Sequence, residues 1–275
     1  VMKKIFEYFI KKPFLKSLFL ITTKQPKNIY CFFFNFYTLI NLSKAKIFLK
    51  DGFFFIKDSN WRFSNRHIGL MTYFKGLKNR GKKLYSIYLL KNINFEINDT
   101  IIDIGANNGD FFLCFDNKIN YYGIEPSPTI FENLSYNIKN QNLLNIALWK
   151  TEEKVMKFFL KDEFGDSSLI PMENYTKEIT VKTKTLDSLI DKIQTKIKLI
   201  KLEAEGAEPE ILEGLNKNLN RVEYITIDAG YERGMSQEST LVKCTNYLLS
   251  NNFELVDFDS KSKRVIILFK NNFIQ

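Results

Sequence analysis

The sequence is poor in the residues on which small disulfide- or metal-based folds depend. It has three cysteines (Cys31, Cys114 and Cys244) and no CxxC pair, which disfavours a disulfide framework or a structural zinc site. The single histidine, His67, excludes a site built from several histidines. With 12 glycines and 6 prolines in 275 residues, the chain is neither fibrous nor of low complexity. These absences indicate a globular protein from a reducing compartment.

What the sequence does contain is apolar residues and an uneven charge. It is 45% hydrophobic and 15% aromatic, which is enough for a sizeable core and excludes disorder. Residues 1–100 have 19 Lys+Arg and 5 Asp+Glu (19 − 5 = +14), and residues 101–275 have 21 and 26 (21 − 26 = −5), which gives +9 in total. Such asymmetry indicates an anionic partner: nucleic acid, a membrane surface or a phosphate-bearing substrate.

The N-terminal segment, residues 1–56, has two competing interpretations. Its uncharged run over residues 28–43 is interrupted by Asn35 and Asn41 and is shorter than the roughly 20 apolar residues that span a bilayer. Apolar residues among lysines, as in residues 3–12, are typical of a helix that lies on an anionic membrane surface. The alternative is a helical pair that packs on the domain behind it.

From residue 100 onward, short apolar runs alternate with helical segments. Strands are predicted at 100–105, 121–125, 144–148, 197–203 and 222–228, with helices near 110–115, 128–139, 208–215 and 240–250. This alternation predicts a mainly parallel sheet covered on both faces. The last two strands, 253–258 and 264–269, are too close for a crossover helix and predict an antiparallel last strand. We therefore expect a basic aromatic extension over 1–98 and an α/β domain over 99–275, with an inserted hairpin near 151–185.

Two motifs follow the first two predicted strands. Residues 103–110 (DIGANNGD) form a glycine turn, and Asp103 places a carboxylate where open α/β sheets bind ligands. The spacing is not the GxGxxG of dinucleotide folds, which disfavours a dehydrogenase, and a carboxylate suits an amine or a sulfonium. Glu125 ends the second strand, where it can accept both ribose hydroxyls of an adenosine ligand, and Pro126 stops the strand there.

A second group of charged residues follows the fourth and fifth strands. Lys201 and Glu203 point to the same side of their strand and Glu205 lies just past its end, so these groups should perturb each other's protonation. We assign the next acids, Glu208 and Glu210, to the start of a helix, where acids are favoured.

Asp228 ends the fifth predicted strand, and Glu232 and Arg233 follow it at the same edge of the predicted sheet. Arg233 could bind a phosphate or carboxylate of a substrate, or form an ordinary ion pair within the loop. His67 titrates near neutrality and is a candidate general base, although a lone histidine is more often structural.

These motifs together resemble the FkbM family of S-adenosylmethionine-dependent methyltransferases. The resemblance rests on IDIGANNGD (102–110), GIEPSP (123–128), NIAL (145–148), VKTKTLDSLI (181–190) and IKLIKLEAEGAEPEILEGL (197–215). It implies a class I methyltransferase (Rossmann-like) α/β fold with a mainly parallel seven-stranded sheet and an antiparallel last strand. The sequence departs from the family pattern in having Glu203 where an aspartate is usual, which leaves the role of Glu203 open.

The resemblance also implies the cofactor, S-adenosylmethionine, and its contacts. Carried over by position, Glu125 holds the ribose, and Asn145 or Ala147 lies near the adenine. The methionine part is held by Asp103, Gly105, Asn107 and Gly109. The full cofactor set is Asp103, Gly105, Ala106, Asn107, Gly109, Glu125, Pro126, Asn145 and Ala147.

The activity implied is O-methylation of a sugar hydroxyl in a surface polysaccharide, glycolipid or nucleotide-linked glycan. The acceptor must lose a proton, for which Glu203, Glu205, Asp228 and His67 are the candidates. Lys201, Glu232 and Arg233 are the expected substrate contacts. A divalent metal is compatible with these acids, but nothing in their spacing demands one.

Two other functions stay open. One is N-methylation of an amino sugar or amide, although the N/D-PPY type of acceptor motif is missing from the fourth strand end, which has KLEAEG. The other is a non-catalytic nucleotide-binding protein with a basic arm, which the intact cofactor motifs disfavour. We expect a bacterial enzyme of polysaccharide biosynthesis in the cytoplasm, associated with the inner face of the membrane if residues 1–56 contact it, and no nucleic-acid partner.

Overall fold

A computed structural model describes residues 25–40, 43, 45–64, 72–116, 118–153, 155–161, 167–261 and 264–274. The chain divides into two compact units, Val1–Leu77 and Lys78–Gln275. Within the described ranges, no helix combines the length and the hydropathy that crossing a membrane requires.

Among its described residues, the first unit contains helix α1 (Lys27–Ile40) and a three-stranded antiparallel sheet of β1 (Ile47–Lys50), β2 (Phe53–Ile56) and β3 (Trp61–Phe63). Its core is aromatic: the Phe54 ring lies 5.1 Å from that of Tyr30 and 5.4 Å from that of Phe63. The sequence did not predict this sheet, because strands of three or four residues are too short to show the alternation that marks a half-buried strand. The lysine-rich start of the segment lies outside the described residues.

The second unit is an α/β domain. Its strands are β4 (Thr100–Ile104), β5 (Asn120–Ile124), β6 (Asn142–Leu144), β7 (Ala147–Leu148), β8 (Met156–Leu160), β9 (Lys177–Val181), β10 (Thr183–Lys184), β11 (Ile197–Leu202), β12 (Val222–Asp228), β13 (Tyr231–Arg233), β14 (Glu238–Ser239), β15 (Phe253–Lys261) and β16 (Arg264–Asn271). Its helices are α2 (Leu77–Ile87), which begins at the boundary, α3 (Pro128–Asn137), α4 (Leu186–Ile190), α5 (Glu208–Glu213) and α6 (Leu241–Ser250). Short 3-10 helices cover Leu90–Asn92, Asp110–Cys114 and Leu219–Arg221.

Seven of these strands form one sheet in the order β15-β16-β12-β11-β4-β5-β6. Strand β16 runs antiparallel to both of its neighbours, and the other pairings among β12, β11, β4, β5 and β6 are parallel. This arrangement confirms the predicted fold class, including the antiparallel last strand. The central strands were predictable because consecutive residues such as Ile101 and Ile102, which point to opposite faces of the sheet, are both buried, so each strand is a nearly continuous apolar run.

The third predicted strand, 144–148, is wrong as a single strand. Strand β6 ends at Leu144 and pairs with β5, whereas β7 pairs with β10 in a separate two-stranded sheet. The break falls at Asn145, whose side-chain amide donates to the carbonyls of Glu125 (2.8 Å) and Pro126 (3.1 Å). Within the insert, β8 and β9 form an antiparallel pair with Phe158 opposite Ile179.

One buried amide secures the end of the last strand. The Asn271 side chain is fully buried and donates to the carbonyls of Leu219 (2.7 Å) and Val222 (2.8 Å). Its oxygen accepts a hydrogen bond from the amide of Phe273 (2.9 Å). This side chain therefore ties β16 to the start of β12.

Asn271→Ala should lower the free energy of unfolding by about 1–3 kcal/mol, because it leaves two buried carbonyls and one amide without their partner. The matched control is Asn272→Ala, since Asn272 is the next residue and is exposed; its change should stay within about 0.5 kcal/mol. Urea unfolding of both variants measures the difference. Equal midpoints for the two would contradict this role of Asn271.

Candidate functional site

The candidate site lies where the carboxyl ends of four adjacent parallel strands meet. Strands β5, β4, β11 and β12 are consecutive in the sheet. The loops that follow them carry almost all of the residues singled out from the sequence. In open α/β sheets this edge is where ligands bind.

The loop after β4 has a backbone that favours glycine. Gly105 and Gly109 have φ values of 72° and 92°, and Asn107 has a φ of 50°. A Cβ on Gly105 would lie 1.9 Å from the carbonyl oxygen of Glu203, so this position has no room for a side chain. The amides of Gly105 and Ala106 both donate to the Ile124 carbonyl, at 3.0 and 2.9 Å. The loop is thus held between β5 and β11.

Glu125 closes one side of this loop. Its carboxylate accepts hydrogen bonds from the amides of Asn107 (3.0 Å) and Ser127 (2.9 Å). Burial raises the pKa of Glu125 to about 7, although the two amides oppose the shift. With the Asn145 side chain bound to the Glu125 and Pro126 carbonyls, the structure brings together Asn107, Glu125 and Asn145. Ala147, two residues after Asn145 in the sequence, is buried in β7.

Lys201 lies beneath the loop as a buried cation. Its ammonium is 3.0 Å from a carboxylate oxygen of Asp103 and 3.1 Å from one of Glu203, and it donates to the carbonyls of Ile104 (3.2 Å) and Gly105 (2.9 Å). Burial lowers the pKa of Lys201, but Asp103 and Glu203 outweigh that effect and raise it. Lys201 therefore stays charged and neutralises two acids.

Asp103 is fully enclosed by this arrangement. Its other carboxylate oxygen accepts the hydroxyl of Tyr121, and its side chain has no exposed surface. Burial raises the pKa of Asp103, with Lys201 and Tyr121 opposing it. The structure thus places Asp103 under the glycine loop and in contact with Lys201.

Arg264 and Tyr88 join the acids at the next two strand ends. Tyr88 donates to Glu203 (2.5 Å), and the Arg264 guanidinium contacts the carboxylates of both Glu203 and Asp228 and the Tyr88 hydroxyl. Although burial raises the pKa of Glu203, Arg264 and Lys201 hold it at about 2. Burial together with Glu203 raises the pKa of Asp228 to about 6. Glu203 is consequently a weak base, and Asp228 is the stronger base of the two.

Sequence reasoning missed Tyr88 and Arg264. Tyr88 precedes the recognised motifs, and no local pattern distinguishes it from its aromatic neighbours. Arg264 did carry a signal, because it is the charged first residue of an otherwise apolar strand, RVIILF.

Arg233 is bound to helix α5. Its guanidinium makes a two-pronged ion pair with Glu210, at 2.8 and 2.6 Å, and donates to the Gly206 carbonyl. The Glu208 carboxylate accepts the amides of Ala204 (2.8 Å) and Gly206 (3.1 Å), in keeping with its assignment to the start of the helix. The turn between β11 and α5 is therefore fixed from both sides.

The remaining candidates are placed as follows. Glu205 lies in that turn with a φ of 49°, and its carbonyl accepts the hydroxyl of Ser168 from the insert (2.8 Å). Glu232 is half-buried on β13, where burial and then Asp228, Glu203 and Glu208 raise its pKa to about 8. His67 lies outside the described residues. In the part of the chain that the structure covers, no three His, Cys, Asp or Glu side chains are grouped so that they could hold a metal ion.

Comparison with known proteins assigns this chain to a defined family. The Methyltransferase FkbM domain matches residues 103–255, just over half of the chain. A curated relative, the hexuronic acid methyltransferase AglP of Haloferax volcanii, is 27% identical over 143 residues. That alignment covers 48% of this chain and 56% of the relative.

Solved structures of methyltransferases also match at low identity. The ribosomal protein L11 methylase of Lactobacillus delbrueckii subsp. bulgaricus gives a TM-score of 0.43 at 10% identity, covering 70% of this chain and 79% of that one. The magnesium protoporphyrin IX methyltransferase of Synechocystis PCC 6803, solved with bound SAM, gives a TM-score of 0.42 at 8% identity. The match covers 71% of this chain and 79% of that one.

The ion pairs of Lys201 lead to a stability prediction. Lys201→Met should lower the free energy of unfolding by about 3–5 kcal/mol near pH 8, because it leaves Asp103 as a buried charge without its cation. The loss should be smaller at pH 5, since an acid whose folded-state pKa is raised takes up a proton in the native state as the pH falls. Urea unfolding at both pH values measures the two losses.

The control is Lys198→Met on the same strand, which removes a half-buried pair with Glu223 (2.9 Å). We expect a change within about 1 kcal/mol that varies little between pH 5 and pH 8. If Lys201→Met cost no more than this control, the buried pair would not have the structural role described.

Proposed function

The chain belongs to the FkbM methyltransferase family, and from this premise we propose that it transfers a methyl group from S-adenosylmethionine to a sugar hydroxyl. The observation that carries the proposal is Glu125, a carboxylate that directly follows β5 and lies beside the glycine loop after β4. When bound, S-adenosylmethionine supplies an electrophilic methyl group on a sulfonium cation. An acidic edge fits such a cation, and the carboxylate at the second strand end fits the two hydroxyls of a ribose.

The residues around the loop fit this cofactor. Gly105, Ala106, Asn107 and Gly109 would line its methionine part, Glu125 and Pro126 its ribose, and Asn145 and Ala147 its adenine. We give Asp103 a supporting role, because its carboxylate is already bound to Lys201, whose ammonium holds the carbonyls of Ile104 and Gly105.

A sugar acceptor is supported by the relative whose printed name states hexuronic acid. We extend this to a sugar of a surface polysaccharide, glycolipid or nucleotide-linked glycan, and the excess of basic residues in the first 100 favours an anionic one. Lys201 and Arg233 are both paired with acids, so an anionic substrate would have to compete for them. N-methylation of an amino sugar is the second outcome that the test must distinguish.

The test is methyl transfer from isotope-labelled S-adenosylmethionine to nucleotide sugars and glycan fragments, with and without a uronic acid. Mass spectrometry should locate the label on a sugar oxygen. A label on nitrogen would support the N-methyltransferase alternative. Binding of S-adenosylmethionine without transfer to any of these acceptors would support the non-catalytic alternative, and no binding would refute the proposal.

The pKa of Glu125 predicts how cofactor binding depends on pH. The ionised carboxylate accepts both ribose hydroxyls, so affinity should weaken as the pH falls through about 7, where Glu125 takes up a proton. Glu125→Gln should bind roughly 10- to 100-fold more weakly, with little dependence on pH between 6 and 8, because a charge-assisted hydrogen bond contributes about 1.5–3 kcal/mol. Calorimetric titration measures both.

The control for this experiment is Glu254→Gln, since Glu254 is exposed on the edge strand β15. It should bind the cofactor as the wild type does. Wild-type affinity in Glu125→Gln, or the same pH dependence in both variants, would contradict the ribose assignment.

We also propose that the first unit contacts an anionic lipid surface through α1. Four apolar residues spaced three or four apart along this helix are exposed: Ile29 (37%), Phe32 (66%), Phe36 (51%) and Leu39 (64%). The sequence of this unit, residues 1–77, has 14 Lys+Arg against 3 Asp+Glu, a net charge of 14 − 3 = +11. An apolar helix face in a strongly basic unit is what an anionic membrane surface binds.

Replacement of Phe32 and Phe36 by serine should weaken binding to phosphatidylserine-containing vesicles by at least about tenfold, because burying each phenylalanine contributes about 1.5–3 kcal/mol. Flotation of the full chain measures this. Phe258→Ser is the control, since Phe258 is 63% exposed in the second unit. Unchanged flotation together with a lower unfolding temperature would instead favour packing of this face against protein.

A further inference from the structure

Most acids at the strand ends already have a partner. Asp103 is bound by Lys201 and Tyr121, Glu203 by Lys201, Arg264 and Tyr88, and Asp228 by Arg264. Glu208 accepts two backbone amides. Each of these carboxylates is therefore committed to a contact that holds the edge of the sheet together.

Glu232 differs from them. Among the described residues its carboxyl group has neither a hydrogen bond nor an ion pair, although it is half-buried. The charged groups that act on it come from four elements: Asp228 of β12, Glu203 beyond β11, Glu208 of α5 and Arg264 of β16. Three of the four are acids, so Glu232 lies in a negative environment close to the carboxyl ends of β11 and β12.

The position of Glu232 is fixed by its neighbour. Arg233 is held to α5 by its two-pronged pair with Glu210, and a Cβ on Gly206 would lie 2.5 Å from the Arg233 Cα. Glu232 lies at an irregularity in the pairing of β13 with β14, directly before Arg233. The backbone that carries Glu232 is therefore clamped against the turn after β11.

Resting on the proposed function, we propose that Glu232 is the general base that takes the proton of the acceptor hydroxyl. The oxygen of that hydroxyl forms a bond to the methyl carbon with the electron pair released by its proton. The bond from the methyl carbon to sulfur breaks, and its electron pair stays on sulfur, which becomes a neutral thioether. The proton ends on Glu232, so charge and atoms balance.

The environment of Glu232 suits this role. Burial and the three neighbouring acids raise its pKa to about 8, so its ionised form is a stronger base than Glu203 or Asp228. A sulfonium cation bound beside it favours the ionised form, because an opposite charge nearby lowers the pKa of an acid. Transfer should therefore rise with pH as Glu232 loses its proton and then level off, with a midpoint at or below about 8.

The test compares wild type, Glu232→Gln and Glu232→Asp in the labelled-methyl assay across pH 6–9. At saturating S-adenosylmethionine, Glu232→Gln should lose about 10²- to 10⁴-fold in kcat/KM for the acceptor and the rise with pH, while binding S-adenosylmethionine as the wild type does. Glu232→Asp should keep the rise with pH at a reduced rate. The control is Glu238→Gln, an exposed acid on the paired strand β14, which should match the wild type.

A second measurement needs neither cofactor nor acceptor. An acid whose folded-state pKa is raised binds a proton in the native state, so it contributes stability that is lost as the pH rises from about 4.5 to 8. The unfolding temperature of the wild type should consequently fall more between pH 5 and pH 8 than that of Glu232→Gln. An equal fall in the two proteins would overturn the inference.

The outcomes separate this inference from the proposed function. If the wild type methylates a sugar hydroxyl and Glu232→Gln keeps at least half of that activity with an unchanged pH profile, the base assignment is wrong and the proposed function stands. If the wild type methylates no acceptor, the proposed function fails, and the assignment of Glu232 as a base fails with it.

Discussion

The burial of one lysine ammonium at the edge of the sheet is the constraint on which the site depends. Lys201 has 3% of its side chain exposed, and its charge is matched by Asp103 on the neighbouring strand and by Glu203 just past the end of its own strand. A buried charge of this kind is costly unless its partners surround it, so strands β4 and β11 must stay in register. The same ammonium binds the carbonyls of Ile104 and Gly105 and thereby holds the glycine loop in place.

A second cation extends this pairing across the sheet. Arg264 reaches Glu203 and Asp228 from β16, the antiparallel strand, so three neighbouring strand ends are linked by alternating charges. The acids of this edge consequently differ in their protonation: the pKa of Glu203 is held at about 2, while those of Asp228 and Glu232 are raised to about 6 and about 8. Charge pairing thus commits Glu203 and Asp228 to this edge, whereas Glu232 has no such pair among the described residues.

Much of the α/β unit was predictable from the sequence, and its exceptions have local causes. Strands such as β4 and β11 are buried on both faces, so their apolar runs are visible without any structure. The apolar run at 144–148 was wrongly predicted as one strand. The Asn145 side chain binds the carbonyls of residues 125 and 126, which are distant in sequence, and so ends β6 early. The sheet of the first unit was missed because strands of only three or four residues are too short to show a recognisable period.

The sequence by itself determined the fold class, the glycine loop and the positions of Glu125, Glu203 and Asp228. Turn geometry and strand burial depend on residues that are adjacent in the sequence, so a local pattern reveals them. Only the tertiary structure decided which charges pair. Strand β16 lies between β12 and β15, and its register places Ile266 opposite Asp228, which brings Arg264 to that carboxylate. Arg264 follows Asp228 by 36 positions in the chain (264 − 228). The contact between them depends on strand order, which no local sequence pattern encodes. The chemistry of the acids follows from that order.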